Sequence, residues 1–442
     1  MAICFDNFML VLYERIIYIK QTFSTMFIIK RKDFFRQGNL VIFFFLLVLT
    51  SCKSVKLQTF EFPKPVDTNS KEIAYQEKKI YNLSDLYFAD NQFDGARLNN
   101  FELVNDSTLV ATILPENEPI NSSPHYAFRL WSSAPAEVYL QLNYPTNKHR
   151  YWPKLSNDGT HWKPIDSVNF KVLTDSSKAQ LKLNITNDKL WIAAQELNNS
   201  THVTNWAKER ANHTNVHFNV VGKSKLGRDL IMLDIYVGSP EGKDMVVIFS
   251  RQHPPEVSGY MAMQAFVDEL LKDNRLSKDF IKKYRILVFP LLNPDGVDLG
   301  HWRHNAGGID LNRDWAYYRQ EEPKNVANYI VNTVKKSKNS VVLGLDFHST
   351  QEDLYYSLSD DNHSVIYPFK DYWIKGIDNA LPNYTPADYP EPFNQPITKA
   401  WFFKQFGADS VTYEIGDETP RDFIKLKAEV ATREMMKLLI LR

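Results

Sequence analysis

Two histidines and two glutamates fall where apolar runs of the chain give out. "MVVIF" (Met245 to Phe249) leads to His253, Pro254, Pro255 and Glu256. "ILVFPLL" leads to Asn293 and Asp295, "VVLGLDF" ends on His348, and "SVTYEIGDET" carries Glu414. Taken singly each is a weak signal, because a lone buried histidine is more often a hydrogen-bonded core residue than a ligand. Together His253, Glu256 and His348 supply two imidazoles and a carboxylate, the set used at catalytic zinc sites, where three protein ligands leave a fourth position for water. Zinc so held lowers the pKa of water towards 7 and polarises a carbonyl, the two needs of amide hydrolysis. Glu414, at a separate strand end, could act as general base and pass the proton to the leaving amine. Pro254 and Pro255 fix φ and supply no N–H, so the backbone between His253 and Glu256 is stiff. The alternative is a strand ending in an ordinary turn, and this stretch alone does not decide.

A second constellation is "HWRHNAGGIDLNRDW" (301–315), with Arg303, Asn312 and Arg313 as strong donors. An arginine can grip a carboxylate with two parallel N–H bonds. An isolated one would more often make a surface salt bridge. Beside a metal cleft, one arginine can hold a developing oxyanion and an Asn–Arg pair a terminal carboxylate.

The elements that must position these groups differ along the chain. From about Asn205 the apolar runs do not alternate, which marks strands buried on both faces: an α/β domain with a mixed, largely parallel sheet and helices on both faces. Val326, Ile330 and Val334 fall at helical spacing. Ligands of open α/β sheets bind beyond the carboxyl ends of strands, so the four clusters should converge in one cleft. Upstream, "AEVYLQLNY" and "SKAQLKLNI" alternate with period two, and "WPKLSNDGTHWKPI" holds a hairpin signal at Asn157 to Gly159. Those patterns predict an antiparallel β-sandwich. The expected organisation is a signal region at 1–52, a tether at 53–79, a β-sandwich at 80–204 and a catalytic domain at 205–442.

The 52 basic and 52 acidic residues balance, so nothing suggests a nucleic-acid partner, which would call for a basic surplus. Near the N-terminus, basic residues at Lys30, Arg31, Lys32 and Arg36 precede an apolar run from Leu40 to Leu49, too short to span a bilayer as a helix. Leu49, Thr50, Ser51 and Cys52 resemble a bacterial lipobox, in which Cys52 is lipidated. The expectation is an exported, membrane-anchored lipoprotein whose functional start is Met26; a short signal anchor is the alternative. The other cysteine, Cys4, would then be absent, and stability would come from core burial without a disulfide.

The ordered series His253-Pro-Pro-Glu256, "NPDG" (293–296), "GIDLNRDW" (308–315), "DFHST" around His348 and "YEIGD" around Glu414 resembles the zinc metallocarboxypeptidases of the carboxypeptidase A superfamily, over the stretch from Gly222 to the C-terminus. The preceding sandwich and the proline in the His-x-x-Glu motif are closer to the cytosolic carboxypeptidase-like branch. The resemblance implies a phosphorylase/hydrolase-like α/β fold. It implies one zinc per chain on His253, Glu256 and His348, and Glu414 as general base. It gives Arg303 to the oxyanion, Asn312 and Arg313 to the C-terminal carboxylate of a peptide, and Asp310 to orienting His253. Pro255 stands where digestive members carry an arginine, so one secondary substrate contact is missing. The capping tyrosine is expected at Tyr389, with Tyr384 as runner-up. If Trp401 matches the family's strand tryptophan, Lys399 lies at the bottom of the specificity pocket and would favour an acidic terminal side chain; a solvated lysine is the alternative. The expected activity is removal of a C-terminal residue from a peptide. Its rivals are zinc-dependent hydrolysis of an acylated amino acid or cell-wall peptide, and a non-enzymatic glycan- or peptide-binding lipoprotein.

Overall fold

The two sequence patterns become two kinds of sheet in the computed structural model, which describes residues 56–173 and 175–442. The alternating strands Ala136–Asn143 and Lys178–Ile185 pair antiparallel, with Leu140 opposite Leu181 and Leu142 opposite Ala179. All four are fully buried, the outcome expected when one face of each strand is apolar. They lie in a five-stranded sheet beside a six-stranded one, forming the sandwich. One pairing departs from the antiparallel expectation, since Thr108–Thr112 runs parallel to Ala136–Asn143. The hairpin signal becomes a loop between Lys154–Ser156 and Lys163–Pro164, with Gly159 at φ +73° and Asp158 Oδ1 accepting the N–H groups of Thr160 and His161.

The second sheet has eight strands: β1 (Val216–Lys223), β2 (Asp229–Ile235), β3 (Met245–Ser250), β4 (Arg285–Phe289), β5 (Val341–Thr350), β6 (Leu354–Leu358), β7 (Asp388–Glu391) and β8 (Asp409–Gly416). Their spatial order is β1-β2-β4-β3-β5-β8-β6-β7. The centre, from β4 through β3 and β5 to β8, is parallel; β2 and β6 join it antiparallel. Every residue of β3 is buried, as its unbroken apolar run requires. The helices are α1 (Ser200–Arg210), α2 (Val257–Leu270), α3 (Arg275–Lys283), α4 (Pro294–Leu299), α5 (Glu321–Ser337), α6 (Phe369–Ala380), α7 (Thr398–Phe406) and α8 (Arg421–Leu441). Core residues of α2, α3, α6 and α8 pack one face of the sheet; those of α5 and α7, including Val326, Ile330 and Val334, pack the other.

Helix α1 crosses the expected boundary at 204/205, and its Val203, Trp206 and Ala207 are part of the α/β core. The described part of the expected tether, 56–79, is laid along the α/β domain up to Lys71 and along the sandwich from Ala74, whose N–H donates to Glu116 O. Thr68 donates to Asp314 at 2.5 Å, Lys71 N–H to Gly307 O, and Phe62 is buried against Ala316 and Ala400. Its apolar and hydrogen-bonding side chains find partners there, so this stretch is fixed rather than free. Cys52, the lipobox, Met26 and Cys4 lie outside the described residues. Among the described residues, no helix is long and apolar enough to cross a membrane.

Helix α2 crosses β5 at Gly259, where an added Cβ would meet His348 O at 2.3 Å and His348 C at 2.7 Å. Both are backbone atoms of a buried strand and cannot yield cheaply. Gly259→Ala gains helix propensity of about 1 kcal/mol, but forcing helix and strand apart costs about 1–3 kcal/mol. We expect a lower melting temperature and weaker zinc binding, measured by calorimetry on the apo and metal-loaded protein. An unchanged or raised melting temperature would show that the helix can move away freely.

Candidate active site

His253 and Glu256 sit between the end of β3 and the start of α2, and His348 lies near the end of β5. One ligand atom from each lies within 4.8 Å of the others, and all three are buried. The inward-facing atoms crowd together: His253 Nδ1 is 2.8 Å from Glu256 Oε1, His348 Nδ1 is 2.8 Å from Glu256 Oε2, and the two Nδ1 atoms are 3.2 Å apart. Each outer nitrogen has its own carboxylate. His253 Nε2 is 2.9 Å from Asp310 Oδ1, and His348 Nε2 is 2.8 Å from Asp346 Oδ2. Carboxylates in those positions fix Nε2–H tautomers and turn both Nδ1 lone pairs inward. The donor set therefore fits zinc, which takes imidazole nitrogens and a carboxylate with one position left open. Burial alone would raise the Glu256 carboxyl, but His253 and His348 hold it well below the usual range, leaving the ionised form a ligand must have.

Glu414 on β8 is the register partner of His348 on the adjacent parallel strand. Neighbouring strands are about 4.8 Å apart, so the two side chains stand side by side at the cleft. Glu414 Oε2 has no hydrogen-bond partner among the described residues. Burial, with the charges of Glu256 and Asp346, pushes its carboxyl up to about 8 against the opposing pull of His348 and Arg303; a bound cation would pull it back down. An unpartnered carboxylate poised to exchange a proton is what a general base requires.

Asp310 ties the remaining groups together. Besides His253, its Oδ1 accepts Asn312 N–H at 2.8 Å, and its Oδ2 accepts Arg303 Nε–H at 2.8 Å. Asn312 Oδ1 accepts the N–H of Thr398 at 2.9 Å. With its oxygen so occupied, the Asn312 amide has its NH₂ left to offer. Arg313 donates from Nη1 to Asn312 O, which leaves four of its five N–H groups for other partners.

The loop that carries Arg303 is anchored in the sandwich. Trp302 is fully buried in the sandwich core. Buried Glu116 accepts the backbone N–H groups of Trp302, Arg303 and His304 at 2.7, 3.0 and 2.7 Å. Burial would raise the Glu116 carboxyl, but His301, Arg97, His304 and the Trp302 N–H together lower it to about 2.

The cleft, of about 440 Å³, is lined by His253, Glu256, Arg303, Asn312, Arg313, His348 and Glu414. Tyr389 and Lys399 do not line it. Tyr389 is 53% exposed on the outer strand β7, and Tyr384 packs beside Phe423 and Lys427. The tyrosine that lines the cleft is Tyr356 on β6. Trp401 lies on helix α7 rather than on a strand. Lys399, on the same helix, is 1% exposed, with its ammonium on Ser357 O at 2.9 Å and Glu391 Oε2 at 3.1 Å; of this pair only Glu391 reaches the cleft. Asn293 and Asp295 are structural. Asn293 caps α4, and Asp295 binds Ser224, Leu226 N–H and Arg228. Asp346 and Gln252 were not singled out from sequence, yet Gln252 Nε2 donates to Asp346 Oδ2 at 2.7 Å. The signal for Asp346 was its position two residues before His348, on the same strand face.

Residues 203–395 match the zinc carboxypeptidase family model. A 115-residue stretch is 38% identical to cytosolic carboxypeptidase 2 of Danio rerio, covering 24% of this chain and 15% of that protein. A 182-residue stretch is 29% identical to cytosolic carboxypeptidase 6 of Caenorhabditis elegans, covering 39% of each. The chain thus spans well under two thirds of the length of these relatives. A metallo-carboxypeptidase from Burkholderia cenocepacia superimposes with a TM-score of 0.66 at 16% identity, over 80% of this chain and 98% of that one. A metallo-carboxypeptidase from Pseudomonas aeruginosa, solved with (2-guanidinoethylmercapto)succinic acid, does so at 0.63 and 17%, over 80% and 100%. At these identities the structural likeness is one of fold.

A carboxyl held at about 2 in the fold and at 4.5 when free adds stability that is complete above pH 4.5 and is lost as pH falls towards 2, roughly 3 kcal/mol in all. Urea unfolding of the metal-free protein should show wild-type stability falling from pH 5 to pH 3 more steeply than that of Glu116→Gln, which should also be the weaker protein at pH 7. Parallel curves for the two would remove Glu116 as the anchor of the Arg303 loop.

Proposed function

We propose that this chain, which carries a zinc carboxypeptidase domain, hydrolyses the C-terminal bond of peptides that have a free terminal carboxylate. The observation that supports this most is the meeting in one cleft of the His253–Glu256–His348 cluster, the unpartnered Glu414 and the donors of Arg303, Asn312 and Arg313. Zinc, when bound by the three ligands, supplies Lewis acidity towards water and the scissile carbonyl. In this reading the Asn312 NH₂ and the Arg313 guanidinium grip the terminal carboxylate, and the Arg303 Nη groups face the carbonyl oxygen as it gains charge. Glu414 removes a proton from the attacking water and returns it to the leaving amine.

The terminal side chain would point towards Tyr356, Glu391 and Thr412. An acidic side chain reaches the Lys399 ammonium only by displacing Glu391, whose carboxylate is half exposed and free to swing outward. The lipid anchor at Cys52 belongs to the same reading and rests on the pattern of residues 40–52.

Two measurements test it. Glu414→Gln should keep about one zinc per chain by metal analysis while peptide hydrolysis falls by roughly 10³-fold or more; full hydrolysis by this variant removes Glu414 from its role. On peptides ending in Glu or Leu, Glu391→Gln should raise kcat/KM for the Glu terminus relative to Leu by roughly tenfold, because Lys399 loses its competing carboxylate. An unchanged ratio separates Lys399 from specificity.

A further inference from the structure

One cationic group in the cleft comes from the sandwich and takes no part in the proposed chemistry. Arg150 lies in the loop between strands Ala136–Asn143 and Lys154–Ser156, and its side chain is 15% exposed. Its Nε donates to Asp417 Oδ2 at 2.7 Å, Nη1 to Ser123 Oγ at 3.1 Å and Nη2 to Ser349 O at 3.3 Å, and the guanidinium lies 5.0 Å from the Tyr151 ring centre. These contacts hold the guanidinium at the residue next to ligand His348, and Arg150 lines the same cleft as the metal cluster. A guanidinium has five N–H donors and no acceptor. Three are used, so two remain for a hydrogen-bond acceptor.

Arg150 shares no hydrogen-bond partner with Arg303, Asn312 or Arg313, which are tied to Asp310 and Thr398. A peptide has one terminal carboxylate, already assigned to Asn312 and Arg313. The cleft is also lined by Asn121 and by exposed Lys64, which has no ion pair among the described residues. Beyond the groups already assigned, the cleft therefore holds further donors and positive charge.

We propose that Arg150 is a substrate-positioning residue: it binds an oxygen acceptor of the peptide on the amino side of the scissile bond, so that the sandwich builds the subsite for the upstream chain. The acceptor is a backbone carbonyl in any peptide, or a side-chain carboxylate where the residue there is acidic. The inference rests on the peptidase reading.

The test uses zinc-loaded full chain with N-acylated di-, tri- and tetrapeptides ending in the same residue, carrying Ala, Glu or Lys before the scissile bond. Wild type, Arg150→Gln, Arg150→Lys and Asp417→Asn are compared by separate kcat and KM. In the wild type, kcat/KM should rise with length by roughly tenfold. Arg150→Gln should lose that gain through KM, and Arg150→Lys should keep part of it. Asp417→Asn, which removes the ion pair but leaves the guanidinium, should retain it. A wild-type preference for Glu over Ala that vanishes in Arg150→Gln identifies the carboxylate as acceptor; dependence on length alone identifies the carbonyl. Equal losses on every substrate, or loss of the length gain in Asp417→Asn as well, would make Arg150 a mere staple between sheets and overturn the proposal. Failure of the wild type to cleave any peptide would instead defeat the peptidase reading.

Discussion

The site depends on the carboxylate of Asp310. One oxygen holds the outer nitrogen of His253 and the N–H of Asn312, and the other holds Arg303. Removing a carboxylate from water is expensive, and here several close partners offset that cost. Burial would raise the Asp310 carboxyl, but Arg303, His253 and Arg313 keep it well below its usual range. The consequence is geometric. A metal ligand, the arginine beside it and the turn that offers Asn312 and Arg313 are referred to one rigid group, so their separations cannot drift independently. Asp346 does the same on the other side, joining His348 to Gln252 and, through the Thr398 hydroxyl, to the start of α7.

Those two carboxylates fix the groups relative to one another, and the sandwich fixes them relative to the sheet. Trp302, fully buried in the sandwich core, is the residue before Arg303, and Glu116 collects three consecutive N–H groups around it. On the opposite flank, Arg150 and Lys154 hold Asp417 and Glu418, three and four residues after Glu414. The pair Arg150–Asp417 is largely buried, where breaking one partner costs far more than an exposed salt bridge is worth. The sandwich thus braces both the arginine loop and the strand end that carries Glu414. Its removal would unseat groups that lie wholly in the α/β domain.

The parts of this arrangement that are legible in the sequence have restrictive chemistry or a strong period. Unbroken apolar runs announce β3, β4 and β5, and the His, Glu, Asn and Arg clusters just beyond them stand out because few structural roles need those types at those places. Arg150 and Glu116 are illegible for the opposite reason. Each is a charged residue in a polar loop of a different domain, and only the docking of sandwich on sheet, more than a hundred residues away in sequence, brings Arg150 to the cleft and Glu116 to the loop that carries Arg303. The stretch between α6 and α7 is the third case. "NYTPADYPEPFNQPITKAW" has no period, and placing its tyrosines by order alone puts Tyr389 at the cleft. In the structure β7 pairs with β6 in a register that sets Tyr356 beside Tyr389, and it is Tyr356, on the inner strand, that lines the cleft.

The two prolines after His253 show how such precision is built locally. β3 stops at Ser250, and the chain turns through Arg251, whose φ of +56° costs of order 1 kcal/mol for a residue with a side chain. That conformation is held by Arg251 itself, whose buried guanidinium donates to Pro254 O at 2.6 Å and sits 5.7 Å from the Tyr260 ring centre. Pro254 and Pro255 then lead into α2 with no N–H groups to satisfy, and Val257 N–H closes onto Pro255 O at 2.9 Å. Glu256 occupies the cap position of α2 yet makes no side-chain capping bond, because its carboxylate is turned to His253 and His348. A conventional Asp or Ser cap would strengthen the helix by about 1 kcal/mol. The chain forgoes that stabilisation to aim a carboxylate at the metal position. Prolines that restrict the unfolded chain, together with the Arg251 clasp, make good the weakness at a helix start whose cap residue is turned to the metal position.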